Sequence, residues 1–230
     1  MTTTMSSKQT TKPLDDLTDK LQRNYNAVLL HIVHEIEIEK GKELSIYYTG
    51  HIPRGTTGTL DILLSLEKAG KISWRDVCFL KDGLNVIQRL DLVKSLTAFE
   101  IKRDLTILLD FYAKNRQGYE PCCRSASVKQ VADYLLNIVQ DSFDVSNFTS
   151  LMESRKSIRK VLFGFGQEIE RELSEPWSRI TLLVIVAGEF VAAALAKKED
   201  RETEVLELCS TAADELCFRM KDMKLESWVS

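Results

Sequence analysis

The sequence predicts an all-α fold arranged as two helical bundles. Three observations carry that prediction. Helix breakers are scarce, with 10 Gly and 4 Pro in 230 residues, about half the usual share. Apolar residues recur at three- and four-residue steps through nearly every segment between the prolines, the period of a helix with one buried face. No alternating strand pattern persists beyond a few residues. A chain of this length holds one large domain or two of about 100 residues each.

A Thr/Ser-rich tail, 1–13, opens the chain and is expected to be disordered. Leu17, Leu21, Tyr25, Val28, Ile32 and Ile36 then form one apolar stripe, and Glu43 to Thr49 reads as a short second helix. After the Pro53 loop, Leu60, Leu63, Leu64 and Leu66 mark a helix ending at Gly70. Ser73 and Asp76 have the spacing of a capping box, with Asp for the usual Glu, ahead of Val77, Leu80, Leu84 and Ile87. Leu90, Leu92, Val93 and Leu96 suggest a short helix and Phe99 to Asn115 a longer one. The best linker is Gln117 to Ser127, around Pro121. Beyond it, helices are marked by Val128, Val131, Leu135 and Ile138, and by Ile158, Val161, Leu162, Phe165 and Ile169. Gly164 and Gly166 weaken the latter helix by about 1 kcal/mol each. Pro176 sits in the first turn of an apolar helix, and Val205, Leu208, Ala212, Leu216, Met220 and Met223 mark the last helix. The predicted organisation is a first domain at 14–97, a connecting helix at 98–118, a linker at 119–127 and a second domain at 128–230. The two bundles divide near residue 120.

Composition narrows the function. A net charge of −3 argues against a broad basic nucleic-acid surface. The 44% hydrophobic content excludes a wholly disordered chain. Five irregularly spaced cysteines, an odd number, fit a reducing compartment, and the opening residues carry no apolar run, so a cytoplasmic protein without a signal peptide is expected. Cys122 and Cys123 lack Cys-x-x-Cys spacing or a nearby His, so no metal is expected there. His31, His34 and Glu35 do not have the order of a zinc-protease helix, and Gly164-Phe-Gly166 lacks the rest of a phosphate loop. No catalytic residue, metal or cofactor is therefore assigned, and an enzyme is not expected. The basic run Ser154 to Lys160 reads first as a solvated helix face, and second as a contact for phosphate or anionic lipid. Ile180 to Ala196 is apolar over 17 residues, but a spanning helix needs about 20. Glu189 lies inside it, and a carboxylate near a bilayer centre costs roughly 3 kcal/mol. The expected place for this segment is the core of a helical domain.

Residues 21–97 carry a recognisable order of features: Leu29-Leu-His-Ile-Val, Glu43-Leu-Ser-Ile-Tyr-Tyr, the turn His51-Ile-Pro, a Leu60-to-Ser73 run, and Arg89-Leu-Asp-Leu92. This order resembles a death effector domain, most specifically from Leu60 to the closing Arg-x-Asp-Leu. The resemblance implies a six-helix antiparallel bundle that binds other such domains, including adaptors and initiator caspases of apoptotic signalling, and that can self-associate. It also implies a surface charge network of Arg89 and Asp91 with an acid of the second helix, either Glu39 or Glu43. On a helix, residues two apart do not face each other, so Arg89 and Asp91 are each expected to reach another partner. Such a network either orders the bundle or shapes a contact face. The family's hydrophobic pair on the second helix matches Ile46 and Tyr47, which are either an exposed anchor or core; the usual Phe-Leu is absent.

Pro176-Trp-Ser-Arg-Ile180, the helix through Ala187-Gly-Glu-Phe-Val191, and the ending Glu226-Ser-Trp-Val229 are similar to homology motifs of the B-cell lymphoma (Bcl) apoptosis regulators. That similarity implies a groove near Trp177 and Arg179 for amphipathic death-ligand helices. Pro176 and Ser178 depart from the motif's Asn and Gly, and Ser178 is expected to narrow the groove. The main expectation is a non-enzymatic adaptor or regulator of apoptosis. The alternative is a membrane-associated, Bcl-like regulator whose apolar helix inserts into a bilayer.

Overall fold

The computed structural model describes residues 13–118, 130, 134, 158–197 and 202–222. Eight helices and no strand are found among them, so the chain is all-α. They are α1 (Pro13–Glu35), α2 (Ile38–Tyr47), α3 (Thr59–Lys68), α4 (Cys78–Val86), α5 (Leu90–Arg116), α6 (Ile158–Glu172), α7 (Pro176–Lys197) and α8 (Glu202–Asp222). The chain divides into two compact units between Phe99 and Glu100. The tail through residue 12, the linker 119–127, Cys122 and Cys123, the expected helix around 128–138 apart from Gln130 and Tyr134, and the motif Glu226–Val229 lie outside the described residues.

In the first unit the stripe of α1 is buried through Leu21, Tyr25, Leu29 and Ile32, and Ile36 follows just beyond its end. Leu44 and Tyr48 from α2 and its cap, Ile62 and Leu66 from α3, and Leu80 and Leu84 from α4 complete this core with Leu92 and Leu96. The second helix begins at Ile38, five residues before the expected Glu43. Gly41 lies inside it and does not break it. A Cβ there would come within 3.1 Å of Thr59 Oγ1 and 3.3 Å of the Thr57 carbonyl, so glycine permits close approach of the next loop.

The ends of α3 and α4 share one design. Gly70, at φ +67°, closes α3: its N–H donates to Glu67 O and the Lys71 N–H to Leu66 O, both at 2.9 Å. This is the Schellman pattern. At the end of α4 the left-handed position is occupied by Gln88, at φ +59°, with Gln88 N–H to Asn85 O at 3.0 Å and Arg89 N–H to Leu84 O at 2.9 Å. A side chain there carries about 1 kcal/mol of backbone strain.

Two local expectations are corrected. Ser73 and Asp76 form a tight backbone-paired turn rather than a capping box. Helix α4 starts only at Cys78, whose N–H donates to Asp76 Oδ1 at 2.9 Å. The helices expected at Leu90–Leu96 and Phe99–Asn115 are one continuous helix, because no Gly or Pro interrupts Leu90–Arg116. The first unit therefore holds four complete helices and the start of a fifth among the described residues, not six separate ones.

In the second unit α7 packs against α6 and α8, which also touch each other. Val184, Ala187 and Val191 of α7 meet Val161 and Leu162 of α6 and Cys209 and Leu216 of α8 in one core. Leu105, Leu108, Leu109 and Tyr112 of α5 belong to the same core. The segment expected as a connector at 98–118 is thus largely core of the second unit, and the division lies at Phe99 rather than near residue 120. Helix α7 is long and apolar enough over Pro176–Ala196 to cross a membrane by length and composition, yet two-thirds of its most apolar stretch is buried inside the protein.

Candidate interaction surface

Arg89 follows the Schellman turn of α4 and precedes α5, so its side chain is set by that turn rather than by helical spacing. Its Nε donates to Asp91 Oδ1 at 2.9 Å and its Nη2 to Asp91 Oδ2 at 2.6 Å, a two-point fork. The expectation that residues two apart cannot pair fails because Arg89 is not in the helix. Arg89 Nη1 donates to the backbone carbonyl of Glu35, and its Nη2 lies 4.0 Å from the Glu35 carboxylate.

The acid beside the pair is therefore Glu35, at the end of α1, and neither Glu39 nor Glu43. Each of those is held by a lysine of its own helix: Lys42 Nζ to Glu39 Oε1 at 2.8 Å, and Lys40 Nζ to Glu43 Oε2 at 2.8 Å. Three-residue spacing makes these local pairs geometrically immediate. The hydrogen bond from Arg89, followed by its charge, holds the Asp91 carboxyl down at about 2, below its ordinary 3.8. The same hydrogen bond raises the Arg89 guanidinium above its ordinary value. Asp91 and Glu35 remain largely exposed, so the turn displays carboxylates while the arginine is occupied.

The apolar candidates lie at the other end of α2. Ile46 is 73% exposed and Tyr47 39%, whereas Tyr48 is fully buried. Tyr48 donates its hydroxyl to Phe79 O at 2.9 Å and packs against the Phe79 and Tyr47 rings, with centroids 5.1 and 5.0 Å away. Burial raises the Tyr48 hydroxyl well above its ordinary pKa. Tyr48 thus pins the end of α2 and leaves Ile46 facing solvent. The slot for its ring exists because position 83 lacks a side chain: a Cβ on Gly83 would lie 2.5 Å from Tyr48 Cζ.

In the second unit Trp177 is partly exposed at the start of α7. Arg179 is half-buried, and its Nε donates to the Leu173 carbonyl at 2.6 Å, binding it to the turn between α6 and α7.

Sequence reasoning did not foresee the polar cluster inside this unit. Tyr112 donates its hydroxyl to Glu189 Oε1 at 2.5 Å, and Arg116 Nε donates to the same oxygen at 3.1 Å. Gln117 Nε2 reaches the Ala192 carbonyl at 3.0 Å. Glu189 is fully buried and its second oxygen has no partner among the described residues. Burial and this hydrogen bond hold the Tyr112 hydroxyl well above its ordinary pKa. The sequence signal was Glu189 itself, a lone charge in an apolar helix; partners more than 70 positions away left none.

Among the described residues no group of three His, Cys, Asp or Glu side chains could hold a metal ion. Comparisons with family models, curated proteins and solved structures found no match to this chain.

Proposed function

We propose that the protein is a non-enzymatic adaptor or regulator of apoptotic signalling that acts by binding death effector domains through its first unit. The observation that carries this reading is the Arg89–Asp91–Glu35 network at the surface, formed by the same Arg-x-Asp-Leu segment on which the resemblance rests. The exposed Ile46 and Tyr47 support it, because a small apolar anchor and a charged face together give an interface both attraction and orientation. The proposed partners are adaptors and initiator caspases bearing such domains, and the proposed location is the cytoplasm.

The test is binding of the full chain to a purified death effector domain, followed by size-exclusion chromatography. Asp91→Arg is expected to abolish co-elution while circular dichroism remains that of the folded protein. Asp61→Arg, an exposed change on α3, is expected to leave it intact. Equal binding by folded Asp91→Arg would remove this face from the proposal. The alternative reading, a groove for death-ligand helices, needs Arg179 to turn away from Leu173 before it can meet a ligand carboxylate.

A further inference from the structure

Helices α6 and α8 of the second unit carry two phenylalanines that are turned outward. Phe163 is 52% exposed and Phe218 is 58% exposed. An outward phenylalanine is common on a protein surface, but Phe163 has a dedicated support. The Arg219 guanidinium is almost fully buried and lies 5.2 Å from the Phe163 ring centroid. It is seated against α6 at Gly166, where a Cβ would come within 3.2 Å of Arg219 Cζ. Glu215, one turn earlier on α8, holds Arg219 Nε at 3.3 Å. A buried arginine, its carboxylate and a glycine are therefore arranged beneath a ring that stays in water.

Exposed cations flank both rings. Arg159 and Lys160 precede Phe163 by one turn, and Lys221 follows Phe218 by one turn; all three are exposed. On α8 the acids one turn before Phe218 are engaged, Glu215 with Arg219 and Asp214 with Lys102 at 2.6 Å, and Asp222 follows Phe218 by four residues. Gly164, beside Phe163, has nothing within 4 Å of a built Cβ, so this face is open rather than grooved. Protruding aromatic rings flanked by Lys and Arg on an open face match the chemistry of an anionic lipid surface: the rings enter the headgroup boundary and the cations meet phosphate or carboxylate.

The geometry points to the Phe163–Phe218 face of α6 and α8 as a peripheral docking surface for anionic lipid. This goes beyond the proposed partner binding and uses the other unit. It does not require α7 to leave the core.

The full chain is mixed with vesicles of phosphatidylcholine alone or with added phosphatidylserine, and bound protein is measured by flotation. Binding to the anionic vesicles only, weakening as salt rises, is expected. Phe163→Ser with Phe218→Ser, and separately Arg159→Glu with Lys221→Glu, are each expected to reduce binding about tenfold or more with the melting transition unchanged. Phe163→Trp is expected to bind as the wild type does, with its emission quenched by brominated lipid. Failure of the folded wild type to float with anionic vesicles overturns the inference. So does undiminished binding by the Phe→Ser pair, which would assign the membrane contact elsewhere, α7 included. Concentration-dependent dimerisation without lipid that Phe163→Ser abolishes would give the face to a second copy of this chain and also overturn it. None of these outcomes bears on death effector domain binding by the first unit.

Discussion

Alanine in place of a helical glycine has opposite effects at two positions, and the structure fixes both signs. In an open helix interior the change stabilises by about 1 kcal/mol through helix propensity. Gly164 in α6 is such a position, exposed and with nothing near a built Cβ, so Gly164→Ala is expected to gain about 1 kcal/mol. Gly83 in α4 is not. Its new methyl would stand 2.5 Å from Tyr48 Cζ and closer still to the hydroxyl, so the ring must move. Moving it gives up a hydrogen bond worth about 1 kcal/mol. It also strains a close-packed core by about 1–3 kcal/mol. Set against the propensity gain, the net loss is about 1–3 kcal/mol. Denaturant unfolding of the full chain, with hydrogen exchange followed on α4 amides, measures both variants. In a Tyr48→Leu background the Gly83→Ala penalty is expected to shrink or reverse, since the obstructing ring is gone. A stabilising Gly83→Ala, or a penalty unchanged by Tyr48→Leu, would refute the claim that this glycine exists for Tyr48. The consequence reaches the proposed contact face, because Tyr48 secures the helix end that presents Ile46 and Tyr47.

Other expectations follow from the same geometry. The Asp91 carboxyl, held at about 2 against an ordinary 3.8, contributes to stability above about pH 4 and loses that contribution as pH falls toward 2. Carbon-detected NMR titration of Asp91 should show the depressed midpoint, and Asp91→Asn should remove the dependence. Arg116→Met leaves the buried Glu189 carboxylate without its cation and is expected to cost about 3–5 kcal/mol, whereas Tyr112→Phe should cost about 1.5–3 kcal/mol; both are read by chemical unfolding. Burial pushes the Cys217 thiol up to about 12, so iodoacetamide should label exposed Cys78 well before Cys217, as mass spectrometry of timed samples would show.

The helical class was legible because breakers and periodicity agreed, and the end of α3 because Gly70 announced it. The end of α4 was less legible: the same left-handed turn is made by Gln88, which carries no such signature. The continuity of α5 is hidden in the sequence because its buried positions change partners, Leu92 and Leu96 serving one core and Leu105, Leu108 and Leu109 the other. A shift of buried face looks like a break when no structure shows one continuous backbone. The charge network was half legible. Arg89 and Asp91 stood out as a motif, but their direct pairing depended on a turn geometry that spacing does not encode. The acid proved to be Glu35, on a different helix from the two considered, since Lys40 and Lys42 had already engaged Glu43 and Glu39. That Ile46 is exposed and Tyr48 buried turned on one hydroxyl reaching Phe79 O and one missing side chain at Gly83, neither of which hydrophobicity separates.

The central proposal is recognition of death effector domains by the first unit. The most direct test titrates the 230-residue chain, by isothermal calorimetry, against purified death effector domains from an adaptor and from an initiator caspase. The account predicts saturable binding to at least one, at micromolar affinity or tighter, weakened by Asp91→Arg and by Ile46→Asp in folded variants. Absence of heat and of co-elution with every such domain, from a protein shown to be folded, would contradict it.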